Sequence, residues 1–262
     1  MEYAVIGFAA LLVSILTLFS GFGLGTLLMP VFALFFPVEV AVAATAVVHA
    51  ANNTLKLPLF ARGANRDVVK RFGLPAILAA FAGAALLGQI SGLEPLASYD
   101  IDARRATITP VKLVIAVLIF GFALFDLIPR FRKFTFDPRH LPLGGALSGF
   151  FGGLSGHQGA LRSAFLVKTG LSAEQFVGTN AVIGFLVDLA RILVYGAGFL
   201  TGRMFGDGEF HGWGLVGTAI GFAFAGSILG KRLVGKVTMK AIQVLTGALL
   251  LAVAIALAAG LV

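Results

Sequence analysis

Long apolar stretches dominate this chain, interrupted by glycine clusters and by short basic segments. The runs over 3–19, 24–36, 39–60, 72–92, 110–129, 141–154, 159–170, 173–199, 212–230 and 240–261 are apolar at nearly every position. They lack the strict alternation of a half-buried strand, and they far exceed the roughly 9–11 residues of a barrel strand. A helix needs about 20 such residues to cross a bilayer core of roughly 30 Å. The runs 24–36, 141–154 and 159–170 are too short to span comfortably. They flank two glycine-rich breaks, Gly21-Phe22-Gly23-Leu24-Gly25 and Gly152-Gly153-Leu154-Ser155-Gly156-His157-Gln158-Gly159. Irregular backbone at that depth survives only where protein or a water-filled cavity satisfies its N–H and C=O groups. The pattern predicts an all-α, polytopic transmembrane helical bundle.

Composition narrows the function. The chain is 58% hydrophobic and only 12% charged, with a mean hydropathy of +0.98. A soluble domain carries roughly 25% charged residues, so a soluble enzyme, a nucleic-acid module and a disordered protein are excluded. The net charge of +8 is explained by its placement. Arg62, Arg66, Lys70 and Arg71 form one basic loop; Arg130, Arg132, Lys133 and Arg139 a second; Lys231, Arg232, Lys236 and Lys240 a third. Loops 93–109 and 200–211 are acidic by comparison, with Glu94, Asp100, Asp102, Asp207 and Glu209. The positive-inside rule makes the first three cytoplasmic and the other two external. Segments 3–36 and 141–170 must then each return to the side they start from, as glycine-broken, re-entrant-like hairpins. Both termini are expected outside. No basic residue precedes the first run, which reads as a retained helix rather than a signal peptide. There is no cysteine, hence no disulfide and no thiolate metal site.

Sliding the chain on itself by 135 residues superposes the two breaks: Ser20-Gly21 falls on Ser155-Gly156, Thr45 on Asn180, Asn53 on Asp188, Lys56 on Arg191 and Phe60 on Tyr195. This divides the chain into a first repeat over 1–129, a basic cytoplasmic linker over 130–140 and a second repeat over 141–262. Each repeat is a broken hairpin followed by three full crossings, and that odd number inverts the second copy. Inverted repeats with paired broken segments mark secondary transporters with a midplane site.

Polar residues at membrane depth supply candidate chemistry. His49, Asn53 and Lys56 share one helix face with Thr45 and Asn52; Asn180, Asp188 and Arg191 occupy the equivalent face of the second copy. A charge at a helix centre costs about 2.5–3.5 kcal/mol on insertion scales, so these side chains face a cavity or a partner. Lys56 also reads as a residue snorkelling to the headgroups, Asp188 with Arg191 as a structural pair, and the asparagines as interhelical glue. A small anion is expected between the breaks, on backbone N–H groups around Gly23, Gly25, Thr26, Gly156 and Gly159, with Ser155, His157 and Gln158 alongside. Arg191, Lys56 or Arg162 would supply charge, and Asn53 and Asn180 hydrogen bonds. Asp188 and His49 are the candidates for proton or coupling-ion exchange. Close backbone packing that simply demands glycine is the competing reading of the breaks. No cofactor, metal site or catalytic set is expected.

Ser20-Gly21-Phe22-Gly23-Leu24-Gly25 with Met29-Pro30, Phe36-Pro37 and Ala43-Ala44-Thr45, and in the second copy Leu154-Ser155-Gly156-His157-Gln158-Gly159-Ala160 with Thr179-Asn180, resemble the TauE/SafE family of sulfite and organosulfonate exporters. The resemblance spans nearly the whole chain as two repeats. It implies gradient-driven export of a sulfur-containing anion from the cell across its inner membrane. An uncoupled anion channel and a membrane-embedded enzyme are the rival readings; four scattered histidines do not make the clustered acid–base or metal set that an enzyme needs. The lipid bilayer and the anion are the partners implied, nucleic acid is not, and a homodimer stays open.

Overall fold

A computed structural model describes residues 1–17, 24–101, 104–131, 135–201, 212–233 and 239–262. The architecture is an all-α bundle. Its helices are α1 (Glu2–Thr17), α2 (Leu24–Ala33), α3 (Val38–Phe60), α4 (Arg66–Ser91), α5 (Pro110–Leu127), α6 (Leu141–Ser155), α7 (Gly159–Leu166), α8 (Ala173–Leu200), α9 (Trp213–Leu233) and α10 (Met239–Ala258). Among the described residues, four helices are long and apolar enough to cross a membrane: α4, α5, α8 and the Trp213–Gly230 stretch of α9. At 23 residues α3 also has the length, but His49, Asn52, Asn53 and Lys56 lower its hydropathy.

Local chemistry sets the helix ends. Ser172 and Gln175 form a capping box that starts α8, satisfying two backbone donors that have no intrahelical acceptor. Thr109 accepts the Lys112 N–H ahead of Pro110 to start α5. Helix α4 begins six residues before the apolar run at 72. Its first turns are amphipathic, with Arg66, Asp67, Lys70 and Arg71 exposed while Val68 and Phe72 are buried, so a segment read as a basic loop is helix. A π-turn over Val69–Gly73 accommodates the change. Helix α6 stops at Gly156, whose φ of +81° is left-handed.

Small residues let the helices approach closely. Gly145, Gly149 and Gly153 form a stripe on α6 at intervals of four residues; a Cβ there would lie 2.1, 1.9 and 2.2 Å from the carbonyl oxygens of Phe72, Ala76 and Ala80 on α4. This is the small-residue packing of membrane helices. Helix α1 packs on α9, where a Cβ at Gly226 would lie 2.4 Å from the Leu11 carbonyl oxygen. Helix α3 packs on α8, and α5 on α10.

The connecting segments gather at two ends. Arg71 donates to the Pro138 carbonyl and Gly63 lies against Glu174, so the first two basic loops share an end. At the other end Thr107 N–H donates to Gly260 C=O, Tyr99 to Ala259 C=O, and Gly214 faces Tyr3. Segment 93–109, read as a plain loop, holds an antiparallel hairpin, Ala97–Ile101 with Arg104–Ile108. Its first strand is exposed at every position, so no buried-face pattern marks it in the sequence. Backbone pairing and the tie to the C-terminus hold it.

Candidate functional site

The site forms where α3 and α8 cross beside the second glycine break. Its centre is Asp188, which is fully buried. One carboxylate oxygen, Oδ2, accepts from His49 Nδ1 at 2.5 Å and from Asn53 Nδ2 at 3.3 Å. The other, Oδ1, accepts from Gln158 Nε2 at 3.1 Å and from Arg191 Nε and Nη2 at 3.0 and 2.7 Å. A buried carboxylate is tolerated when its lone pairs are filled in this way. Arg191, also fully buried, spends its remaining amino group, Nη1, on the Gly152 carbonyl at 3.2 Å. The pair therefore ties α8 to the C-terminal end of α6.

A second buried guanidinium stands beside the first. Arg162 Nε donates to Asn180 Oδ1 at 2.6 Å, and its Nη1 to Gln158 Oε1 at 3.2 Å. Gln158 is thus held at both ends of its amide, while its carbonyl accepts from Ser148 Oγ at 2.8 Å. Gly184 makes room for this meeting: a Cβ there would lie 3.0 Å from Asn53 Nδ2 and 3.2 Å from Arg162 Nη1.

Against this network lies a small polar pocket lined by Gly25, Thr26, His49, Gly156, Gln158, Gly159 and Arg162. Gly25 and Thr26 belong to the first turn of α2, and Gly159 begins α7. First-turn N–H groups have no intrahelical acceptor and carry the positive end of the helix dipole. The two helices thus present their N-terminal ends to one pocket, the geometry that favours an anion. His49 commits Nδ1 to Asp188, so a contact with a bound anion falls to Nε2, which donates once the ring is protonated. The buried charged members, two guanidiniums and one carboxylate, sum to a formal +1, and protonation of His49 makes it +2.

Most residues singled out from the sequence converge here: Gly25, Thr26, His49, Asn53, Gly156, Gln158, Gly159, Arg162, Asn180, Asp188 and Arg191. The others sit apart. Lys56 is half-buried on the same face of α3 but does not line the pocket. Ser155 turns its hydroxyl back to the Phe151 carbonyl. His157 stacks on Phe122, with ring centroids 5.5 Å apart, and its Nδ1 meets the Ser155 carbonyl at 2.8 Å; its buried Nε2 has no hydrogen-bond partner among the described residues. Gly23 lies outside the described residues. No side-chain pattern marks the Gly152 and Gly153 carbonyls, which accept from Arg191 and from Tyr195 Oη. Tyr195 carried one signal, its alignment with Phe60.

A family model described as "Sulfite exporter TauE/SafE" matches residues 6–257 of the chain. No curated protein and no solved structure was found to match it.

Proposed function

Since the chain belongs to the TauE/SafE sulfite exporter family, a family of membrane transporters, we propose that it is a secondary-active exporter of sulfite or a compact organosulfonate. In this reading it works by alternating access in the inner membrane, with proton exchange at His49 and Asp188. The observation that carries the reading is the pocket between the N-terminal turns of α2 and α7 with Arg162 on its wall. Two half-helix ends supply N–H groups for the anion's oxygens, and Arg162 supplies full charge. His49 adds charge when protonated, and Asp188 holds the ring so that the proton arrives next to the anion. Protonation of His49 and binding of the anion are thereby linked.

The internal repeat supports transport by exchange of two states. The starts of α3 and α8, at 38 and 173, keep the offset seen in the sequence, and Asn53 bonds its own counterpart Asp188, 135 residues further on. The packing swaps with it: α1 on α9 is matched by α6 on α4, while α3 meets α8 and α5 meets α10. The gathering of loops 62–71 and 130–140 at one end supports a cytoplasmic placement for that end, with both termini outside. The short α1–α2 and α6–α7 pairs act as the re-entrant hairpins of the two repeats.

A thermal-shift series on purified protein tests the site. Sulfite is expected to raise the melting temperature with saturation, more at acid than at alkaline pH, and Arg162→Gln to abolish the shift. A shift of normal size in Arg162→Gln would move the anion elsewhere.

A further inference from the structure

Helices α3 and α8 are repeat counterparts that cross each other, so each end of their crossing can be compared with the other. At the end carrying residues 61–65 they are closed. A Cβ on Gly178 would lie 2.2 Å from the Phe60 carbonyl oxygen and 3.2 Å from the Ala64 nitrogen, and Asn65 N–H donates to Thr179 Oγ1 at 2.9 Å. Subtracting or adding the repeat offset gives the counterparts at the other end: Ala43 for Gly178, Ala44 for Thr179, Tyr195 for Phe60 and Phe199 for Ala64. All four line an apolar cavity of about 130 Å3, with Trp213 and Val216 of α9. The same junction is packed backbone to backbone at one end of the molecule and borders a cavity at the other.

We propose that this crossing is a two-sided gate. It is shut at Gly178–Phe60 and open at Ala43–Tyr195 in this structure, and transport exchanges the two arrangements. The inference rests on the transporter reading above, which places the closed side toward the cytoplasm. Two packed junctions of one repeat unit, caught in different states, are the bistable element that alternating access needs. Residue size adds a bias. Glycine at 178 permits backbone contact, whereas Ala43 carries a methyl, so the outer junction cannot close as tightly as the inner one. The inward-closed form is the resting form.

The natural chain has no cysteine, which makes disulfide trapping direct. In the variant Asn65→Cys/Thr179→Cys, oxidation should lock the closed side and cut anion flux in proteoliposomes at least tenfold, with recovery on reduction. Unchanged flux with the disulfide formed would overturn the gate. Ala43→Leu, whose side chain enters space that already exists, should melt like the wild type, keep its sulfite-induced thermal shift and lose flux at least tenfold because the outer junction cannot shut. Wild-type flux in this variant would also overturn the gate, while leaving the transporter reading in place. Ala44→Cys/Leu200→Cys is read without substrate. Its disulfide should form under mild oxidant, more slowly than the 65–179 bond, as the outer side closes transiently. Failure to form would overturn the gate. Formation in a protein that moves no anion would keep the gate and discard the anion-transport reading.

Discussion

Neutralising Asp188 tests the site's organisation most sharply. In Asp188→Asn the side-chain shape is kept, but one of the two acceptor oxygens becomes a donor. The amide nitrogen must face either the Arg191 and Gln158 donors or the His49 and Asn53 donors. Turning it toward His49 lets that ring change tautomer and accept, which leaves Asn53 without its bond and the Arg191 guanidinium without its counter-charge. Removing one member of a buried ion pair costs about 3–5 kcal/mol, a fall in melting temperature on the order of 10 °C. Arg191→Gln strands the carboxylate instead, but protonated His49 is already in contact and can replace the lost cation. The deficit of that variant should shrink as pH falls. The double change Asp188→Asn/Arg191→Gln leaves neutral amides throughout and should return to within about 1 kcal/mol of the wild type, because replacing both members of such a pair is often close to neutral. Transport should not return with stability, since His49 has lost the carboxylate that orients it. The assay is melting in detergent across pH, with anion flux, for both singles and the double. Additive losses in the double would show that the two side chains are not energetically coupled and would refute this account of the network.

Three further outcomes follow from the same geometry. Gly156→Ala places a side chain at a φ of +81° and should cost about 1–2 kcal/mol, measured as melting temperature, while weakening sulfite binding through displacement of the pocket wall. Gly149→Leu drives a side chain into the Ala76 carbonyl, where even a Cβ would sit at 1.9 Å; it should separate α6 from α4 and abolish recovery of folded protein on size exclusion. Arg162→Lys keeps a charge but loses the planar fork that reaches Asn180 and Gln158 together, so sulfite affinity should fall at least tenfold with a smaller change in stability.

Much of this arrangement is legible in the sequence because membrane burial is severe. Apolar runs locate the helices, and the charge cost inside a bilayer makes His49, Asp188 and Arg191 conspicuous. The self-comparison pairs Asn53 with Asp188, and the two are bonded. What escaped has physical reasons too. Backbone acceptors such as the Gly152 carbonyl carry no side-chain signal. The first strand of the hairpin, Ala97–Ile101, is exposed at every position, so its residues show no buried alternation. The first turns of α4 are basic and amphipathic, and their charges read as loop. Lys56, Arg162 and Arg191 were interchangeable as charge donors in the sequence. Only the fold places Arg162 on the pocket and binds Arg191 to Asp188.

The central claim is coupled movement of an anion and a proton through the pocket walled by Arg162 and His49. Sulfite flux into proteoliposomes containing an internal pH dye measures both at once. The account predicts that a sulfite gradient acidifies or alkalises the lumen in step with the anion and that an imposed pH gradient drives sulfite uphill. Both effects should vanish in Arg162→Gln, which loses the charge on the anion, and in His49→Gln, which loses the proton's carrier. Sulfite flux that runs only downhill, with no proton movement attributable to the protein, would contradict it and make the molecule a channel.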